Sequence, residues 1–166
     1  MTNSVNEIFV NAGIKYFVIM PDSMNSKLLK CVQENSHINI IQGLNETDVI
    51  TITSGLNLTG TLSVAVFENS GIRSICDIIT RFELSHHIHN IYLLSSRGEL
   101  GEENWWGIMH KKVTSNILEE LNILYTNVNC IQEFEIELSK AIRSFKTEQI
   151  SVALNLTPSF YNSIQK

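Results

Sequence analysis

The sequence predicts a single doubly wound α/β domain, with a mostly parallel six-stranded sheet and helices on both faces. Short, fully apolar runs such as 16–19 alternate with amphipathic segments along the whole chain. The connections are short, and no linker, repeat or low-complexity segment interrupts the 166 residues. Fully apolar runs are typical of strands buried on both faces, and regular strand–helix alternation is typical of a parallel sheet.

The six strands are predicted from apolar runs that end at glycine, proline or polar turns. These runs are 16–19, 38–41, 61–67, 91–94, 124–128 and 150–156. The helices are predicted from apolar residues that recur every three to four positions. They are expected over 5–12, 24–32, 46–58, 72–84, 105–121 and 132–145.

Single residues mark several boundaries of these elements. Ser4 and Ser23 are predicted to cap the first two helices, and Gly13 to end the first. Pro158 is expected to open an irregular tail. The fourth helix is expected to turn four apolar side chains inward, namely Ile75, Ile78, Ile79 and Phe82.

The composition argues against several classes of protein. Apolar residues make up 43% of the chain, which supports one compact core, and the formal net charge is −5. No basic stripe points to nucleic acid, and no run approaches the roughly 20 apolar residues that span a bilayer. The start of the sequence lacks the basic region of a secretory signal. Cys31, Cys76 and Cys130 are odd in number and widely spaced, which favours reduced core thiols and a cytoplasmic location.

Four segments follow predicted strands and are therefore the candidate ligand-binding loops. In doubly wound folds, ligands bind outside the carboxyl ends of the strands. The segments are 20–23, 43–46, 68–71 and 96–102. None of them matches the glycine-rich fingerprint of a dinucleotide site or the phosphate loop of nucleotide hydrolases.

Five motifs in these segments and beyond them resemble one known family. They are VIMPDS at 18–23, NE at 45–46 before a helix containing SG, ENSG at 68–71, RGELG at 97–101 and LEELNILY at 118–125. They are similar, in this order, to V-P-D-S, N-E with A-G, Q-N-S-G, R-G-E-x-G and L-x-x-L-x-I-x-Y of the pyrimidine-binding domain of thiamin-diphosphate-dependent decarboxylases. The nearest likeness is to phosphonopyruvate decarboxylase and the alpha subunit of sulfopyruvate decarboxylase.

The resemblance implies one pyrimidine-binding domain over 1–166 and a thiamin-diphosphate-binding fold. Single-chain relatives continue into a diphosphate-binding domain with a G-D-G…N pattern for Mg²⁺, which this sequence lacks. The chain therefore resembles the alpha subunit of a split enzyme, with thiamin diphosphate at the interface and Mg²⁺ held by a beta subunit. The expected assembly is α₂β₂ or larger. Its reaction would release CO₂ from phosphonopyruvate or sulfopyruvate, and the isolated chain would bind the cofactor weakly or not at all.

The resemblance also assigns roles near the start of the chain. Glu46 occupies the position of the carboxylate that contacts the pyrimidine ring nitrogen, where burial would raise its pKa. The simpler interpretation is a first-turn glutamate that complements the helix dipole. Asp22 would face the reacting substrate, or serve only as a turn residue. Ser23 would contact substrate or cap the next helix, and Gly71 would let the backbone approach the pyrimidine closely.

Later residues complete the implied site. His110 lies where related decarboxylases carry a histidine that acts on the intermediate, although the glycine that the family places after it is absent. Asn69 and Ser70 would form the pyrimidine wall together with Gly71. Arg97 would bind the sulfonate or phosphonate, with Lys111 and Lys112 as alternatives. It could equally form a structural ion pair with Glu99 or Glu102.

Two groups of residues have no assigned role. Trp105 and Trp106 could lie at an interface, in the core or over the substrate. His86, His87 and His89 are expected to be solvated at the far end of the sheet, because no cysteine or carboxylate completes a metal pattern. Two other functions stay open: a thiamin-dependent carboligase subunit, and a non-catalytic scaffold or flavodoxin-like binding module.

Overall fold

The computed structural model describes residues 4–34 and 37–164. Its centre is a six-stranded sheet in the order β2-β1-β3-β4-β6-β5, and every neighbouring pair is parallel. The strands are β1 (Tyr16–Ile19), β2 (Asn39–Gln42), β3 (Ser63–Glu68), β4 (Ile91–Ser95), β5 (Leu124–Val128) and β6 (Val152–Leu156). The predicted fold class is confirmed, and the sheet is wholly parallel within the described ranges.

Seven α-helices cover the two faces of this sheet in the described part of the chain. They are α1 (Val5–Asn11), α2 (Ser26–Gln33), α3 (Glu46–Leu58), α4 (Cys76–Ile78), α5 (Trp105–Glu120), α6 (Ile131–Arg143) and α7 (Pro158–Ser163). Along β1, Phe17 belongs to the core under α1, α2, α6 and α7, whereas Val18 belongs to the core under α3 to α5. This alternation is the two-residue period of a strand buried on both faces.

The first helix forms as predicted, because its first turn satisfies its own free backbone groups. The Glu7 backbone N–H donates to Ser4 Oγ at 3.3 Å, and the Ser4 backbone N–H donates to Glu7 Oε2 at 2.6 Å. This reciprocal pair is a capping box. Gly13 follows the helix with φ +79°, a left-handed conformation that favours glycine.

The prediction that Ser23 caps the second helix is wrong. Helix α2 begins at Ser26, and its N-cap position is Asn25. Asp22 takes over the turn, because its Oδ1 accepts hydrogen bonds from the backbone N–H groups of Met24 at 2.6 Å and Asn25 at 2.9 Å. An aspartate that bonds backbone two and three residues ahead makes a local turn, and this turn displaces the helix start by two residues.

The segment predicted as one helix over 72–84 is divided. A 3₁₀ helix (Asn69–Arg73) is followed by α4 and then by a π-helix (Ile79–Leu84). Ile75 and Ile79 are buried as predicted, but Ile78 and Phe82 are only half-buried, and Glu83 is buried instead. The wider π turn changes which side chains face inward, which a helical period of 3.6 does not anticipate.

The buried Glu83 carboxylate is stabilised by donors from two neighbouring elements. Ser54 Oγ and Asn90 Nδ2 donate to Oε1 at 3.1 and 2.6 Å, and the Tyr92 hydroxyl donates to Oε2. Burial raises the pKa of Glu83, and these hydrogen bonds oppose the rise. The carboxyl group therefore links α3, the π-helix and β4.

The structure also bears on the expectations for Pro158, the cysteines and membrane-spanning segments. Pro158 opens helix α7 and not an irregular tail, because the Thr157 hydroxyl caps the Phe160 N–H at 3.4 Å. The three cysteines are free, as predicted, but each is half-exposed and not a core residue. No helix within 4–34 and 37–164 is long and apolar enough to cross a membrane.

Candidate active site at the carboxyl ends of the strands

The four candidate loops lie together at the carboxyl edge of the sheet, because all six strands run in the same direction. A cleft of about 540 Å³ opens there. Ser23 lines it from the turn before α2 and Lys27 from α2 itself. Arg97 and Glu102 line it from the loop after β4, and Tyr161 from α7. The position agrees with the rule that ligands bind beyond the carboxyl ends of parallel strands.

Asp22 follows β1 and is tied to the protein through both carboxylate oxygens. Oδ1 caps the turn into α2, and Oδ2 accepts a hydrogen bond from Ser95 Oγ at 3.0 Å. Ser95 Oγ also lies 3.0 Å from the buried Tyr161 hydroxyl. Burial raises the pKa of Asp22, and the charge of Glu68 adds to that rise. The raised pKa makes Asp22 a group that can hold a proton more readily than a surface aspartate.

Each of the three nitrogens of the Arg97 guanidinium has a polar partner. Nε lies 3.2 Å from Glu68 Oε2, Nη1 lies 3.5 Å from Glu102 Oε1, and Nη2 donates to Ser23 Oγ at 2.6 Å. The Trp106 ring lies 5.6 Å from the guanidinium carbon. The interpretation of Arg97 as an ion-pair residue is therefore correct for Glu102. Glu99 is instead bonded to Lys111 at 2.5 Å.

Glu68 and Glu102 are the two acidic partners that neutralise Arg97. Only 15% and 8% of their side chains are exposed, against 14% for Arg97. Burial raises the pKa of Glu102, but hydrogen bonds from the backbone N–H groups of Gly98 and Asn104 outweigh it and lower the pKa overall. Glu68 stands where the resembled decarboxylases have glutamine. Its part in the network was not predicted from the sequence, whereas the ion pair between Arg97 and Glu102 was.

Asn69 and Ser70 belong to this same network. Asn69 is buried, its Nδ2 donates to the Arg97 carbonyl at 3.0 Å, and its Oδ1 accepts from the Arg97 N–H at 3.2 Å. Ser70 Oγ donates to Glu68 Oε1 at 2.7 Å. These contacts join the loop after β3 to the loop after β4, at the position where a pyrimidine wall is predicted.

Glu46 is the first residue of α3 and lies directly over Gly71. A Cβ atom added at Gly71 would lie 2.5 Å from Glu46 Cγ and 2.6 Å from Oε1. Glu46 Oε2 accepts one long hydrogen bond from Ser74 Oγ at 3.4 Å. Within the described residues Oε1 accepts none, so the half-exposed carboxylate keeps capacity for a further donor. Asn45 caps the helix, because its side chain accepts from the Asp48 N–H at 2.9 Å.

His110 lies on α5 between an arginine and an aromatic ring. Its Nδ1 is 2.9 Å from Nη2 of Arg73, and its ring centroid is 5.3 Å from that of Trp106. Burial and then the charge of Arg73 lower the pKa of His110, while Glu68 raises it. A neutral imidazole near pH 7 is therefore expected here. Arg73 was not identified from the sequence, although it ends the 3₁₀ helix that contains the ENSG motif.

The structure thus separates the predicted residues into two groups. Ser23, Asn69, Ser70 and Arg97 share one hydrogen-bonded network, and Asp22 adjoins it through the charge of Glu68. Glu46 and Gly71 form a second contact, on the side of α3. His110 is joined to the first group through Trp106, which it shares with Arg97.

The three clustered histidines lie at the opposite end of the sheet, before β4. His86 and His87 are exposed and His89 is half-buried. Burial and then the proximity of His87 lower the pKa of His89. Across the described part of the chain, no group of three or more histidines, cysteines or acids is arranged to hold a metal ion.

Comparison with solved structures identifies the fold. A chain of 2-oxoglutarate:ferredoxin oxidoreductase from Magnetococcus marinus, solved with 2-oxoglutarate, coenzyme A and succinyl-CoA bound, superposes with a TM-score of 0.69 at 11% sequence identity. The match covers 93% of this chain and 28% of that one, so this chain spans little more than a quarter of its length. No protein-family model and no curated protein matches the sequence. At this identity the likeness shows the fold alone.

Proposed function

We propose that this chain is the pyrimidine-binding subunit of a split thiamin-diphosphate-dependent enzyme that decarboxylates a 2-oxo acid. In this proposal Glu46 supplies the carboxylate for the cofactor aminopyrimidine. A second chain supplies the diphosphate site and Mg²⁺, in an α₂β₂ or larger assembly. The finer proposal for the substrate is phosphonopyruvate or sulfopyruvate.

The observation that carries the proposal is the contact between Glu46 and Gly71. The two residues belong to separate motifs of the resemblance, NE and ENSG, yet the glycine provides the space that the Glu46 side chain fills. Residue 71 has to lack a side chain for the carboxylate to stay where it is. The two motifs of the resemblance are therefore in direct contact in this structure.

Glu46 and Gly71 are chemically suited to contact the aminopyrimidine of thiamin diphosphate. Bound thiamin diphosphate would supply the carbanion chemistry of 2-oxo acid decarboxylation. The chain contributes a half-exposed carboxylate with one unoccupied oxygen, beside backbone that carries no Cβ at residue 71. A carboxylate there can hold or share a proton with a ring nitrogen. Asp22, whose pKa is raised by burial, is a candidate to hold or relay a proton on the substrate side.

Exposed apolar side chains around the carboxyl edge support a requirement for a partner. Leu44 follows β2, Leu100 lies in the loop after β4, and Trp105, Ile108 and Met109 lie at the start of α5. Each is exposed, and 81% of Trp105 is accessible. Clustered exposed aromatic and aliphatic residues are typical of interfaces. The solved fold relative is also a much longer chain, of which this one matches 28%.

The substrate class is proposed on two grounds. The resemblance implies a 2-oxo acid, and the fold relative is named for 2-oxoglutarate, which is also a 2-oxo acid. The residue proposed to bind a distal sulfonate or phosphonate is Arg97, and it would bind as part of a neutralised cluster. Lys112 is exposed, and Lys27 lines the cleft, so both are further cations for that group.

One observation favours the carboligase alternative. Arg97 already pairs with Glu68 and Glu102, and Lys111 already pairs with Glu99. A substrate without a second anionic group would need neither cation. A carboligase that joins a decarboxylated 2-oxo acid to another carbonyl compound would fit such a site.

The test is to purify the chain together with the product of the adjacent gene and to measure CO₂ release. The assay contains thiamin diphosphate and Mg²⁺, with phosphonopyruvate, sulfopyruvate or pyruvate as substrate. Release should require both chains, and Glu46→Gln should lower kcat by about 100-fold or more. Glu120→Gln, an equal change at an exposed site on α5, should leave kcat unchanged.

Each outcome selects one function. Release from either acid that requires Glu46 supports the decarboxylase. Cofactor binding by the complex, with a carbon–carbon bond formed from pyruvate and an added aldehyde, supports the carboligase. A complex that binds no cofactor and releases no CO₂ would leave the chain as a scaffold of the same fold and would refute the proposal.

A further inference from the structure

We propose that Arg73 is a positioning residue that holds His110 as a neutral imidazole with its proton on Nε2, so that His110 presents a hydrogen-bond donor to an acceptor oxygen of the ligand. The ligand-binding role of His110 rests on the proposed function. Its protonation state and tautomer do not, and they can be measured on this chain alone.

The contact between Arg73 and His110 fixes which ring nitrogen carries the proton. Nη2 of Arg73 lies 2.9 Å from Nδ1 of His110, within hydrogen-bond distance. A guanidinium has only donors and stays charged, so Nδ1 must be the acceptor and must carry no proton. A neutral imidazole with an unprotonated Nδ1 carries its proton on Nε2. Within the described residues Nε2 has no hydrogen-bond partner, so its N–H is available.

Arg73 is held in place by the turn that follows β3. It is the last residue of the 3₁₀ helix that follows β3, and its Nε donates to the Ser70 carbonyl at 3.4 Å. That second contact orients the guanidinium from the ENSG turn toward α5. Gly71 and Arg73 therefore come from the same short helix. Gly71 leaves space for the Glu46 side chain, and Arg73 contacts His110.

The charges around the imidazole of His110 are of both signs. The charged groups that act on His110 are Arg73 and Arg97, which disfavour the protonated form, and Glu68 and Glu102, which favour it. The two carboxylates are already paired with Arg97, and no carboxylate within the described residues forms a salt bridge with His110. Trp106 covers the ring and adds to its desolvation. Protonation would place two cations in contact and abolish the hydrogen bond at Nδ1.

A second histidine of this chain provides an internal control. His86 Nδ1 lies 2.9 Å from the carbonyl oxygen of Phe82. A carbonyl only accepts, so His86 Nδ1 must donate and must carry the proton. The two histidines are thus expected in opposite tautomers in the same sample.

The experiment is a long-range ¹H–¹⁵N correlation spectrum of the histidine rings in the ¹⁵N-labelled chain, at pH about 8 where free imidazole is neutral. The signals are assigned by their loss in His110→Gln and His86→Gln. His110 should show an unprotonated Nδ1 and a protonated Nε2, and His86 the reverse. In Arg73→Met, the His110 titration midpoint should rise by about half a unit, a roughly threefold gain in proton affinity. Its tautomers should also become mixed.

Matched variants separate positioning from a general loss of structure. Arg143→Met removes an exposed arginine at the end of α6 and should change neither histidine. Arg73→Lys keeps the charge and should restore most of the lowered midpoint. A proton on His110 Nδ1, or an unchanged midpoint and tautomer in Arg73→Met with intact backbone amide signals, would overturn the inference. Because no cofactor or partner is present, either result is independent of the decarboxylase assay.

Discussion

The two sides of the carboxyl edge use their charges in opposite ways. At the loop after β4, Arg97 is neutralised by Glu68 and Glu102, bonded to Ser23 and covered by Trp106. At the start of α3, Glu46 has one long hydrogen bond and no cation within the described residues. The charges of the first arrangement are paired within the chain, and within the described residues the charge of Glu46 is not. A charged residue in a motif can therefore be paired or unpaired within the fold, and only its contacts distinguish the two.

The strongest test of this comparison is removal of the Arg97 cation from the loop after β4. Arg97→Met would leave Glu68 and Glu102 buried without their partner, so the free energy of unfolding should fall by about 3 kcal/mol or more. Lys111→Met removes a cation whose pair with Glu99 is more exposed, and it should cost about 1 kcal/mol at most. Urea unfolding followed by circular dichroism measures both. Equal losses would mean that the Arg97 cluster is not a buried structural unit.

The environment of Glu46 is tested by adding one methyl group at residue 71. Gly71→Ala would place a Cβ against Glu46 and push its flexible side chain away, with little cost to the backbone. Activity of the assembled enzyme should fall about tenfold while thermal stability changes little. In a Glu46→Ala background the same substitution should have no further effect. An additive loss in the double variant would show that Gly71 acts independently of Glu46.

The pH dependence of stability sharpens the comparison at Asp22. Burial raises the pKa of Asp22 in the folded chain above its ordinary value of 3.8. Between those two values the unfolded chain releases a proton that the folded chain retains. The stability from Asp22 is therefore fully present below the unfolded value and is lost as pH rises through the folded pKa.

The difference in unfolding free energy between the wild type and Asp22→Asn isolates this effect, because other groups titrate equally in both. The wild type should become less stable relative to Asp22→Asn as pH rises from about 4 to about 7. A difference that stays constant over this interval would show that Asp22 is not perturbed.

The smallest expected effect is at Ser23. Its hydroxyl accepts one hydrogen bond from Arg97 and caps no helix, so Ser23→Ala should cost about 0.5 kcal/mol in urea unfolding. Ser4→Ala removes a real cap and should cost about 1 kcal/mol. A larger loss at Ser23 than at Ser4 would restore the capping role that the sequence suggested.

These two serines also show what a sequence can and cannot predict here. Strands β1 and β5 have the predicted bounds, because compact apolar or β-prone runs end at clear turn residues. Ser4 is a cap because Glu7 completes the box within the same four residues. Ser23 is not, because the preceding Asp22 competes for the same backbone groups. A helix cap is predicted correctly from the sequence where no neighbouring side chain can bond the same backbone N–H groups.

The site was predicted less completely because its contacts are not local. From the sequence, Glu102 could be named as a partner of Arg97, but Glu68 could not. The contact between Glu46 and Gly71 was not predicted either. Glu68 and Arg97 are 29 positions apart, and Arg73 and His110 are 37 apart. Nothing in spacing or periodicity selects such pairs. They follow from the adjacency of β3 and β4 and from the placement of α5 beside the turn after β3.

The π-helix at Ile79–Leu84 affects how this chain can be aligned with others. A π turn spends more residues per turn than an α-helix, so a relative with a regular helix there would reach β4 with fewer residues. An ungapped alignment with such a relative would be out of register after the π turn. Allowing a gap between Cys76 and Ile88 should reveal distant kinship that a rigid alignment hides.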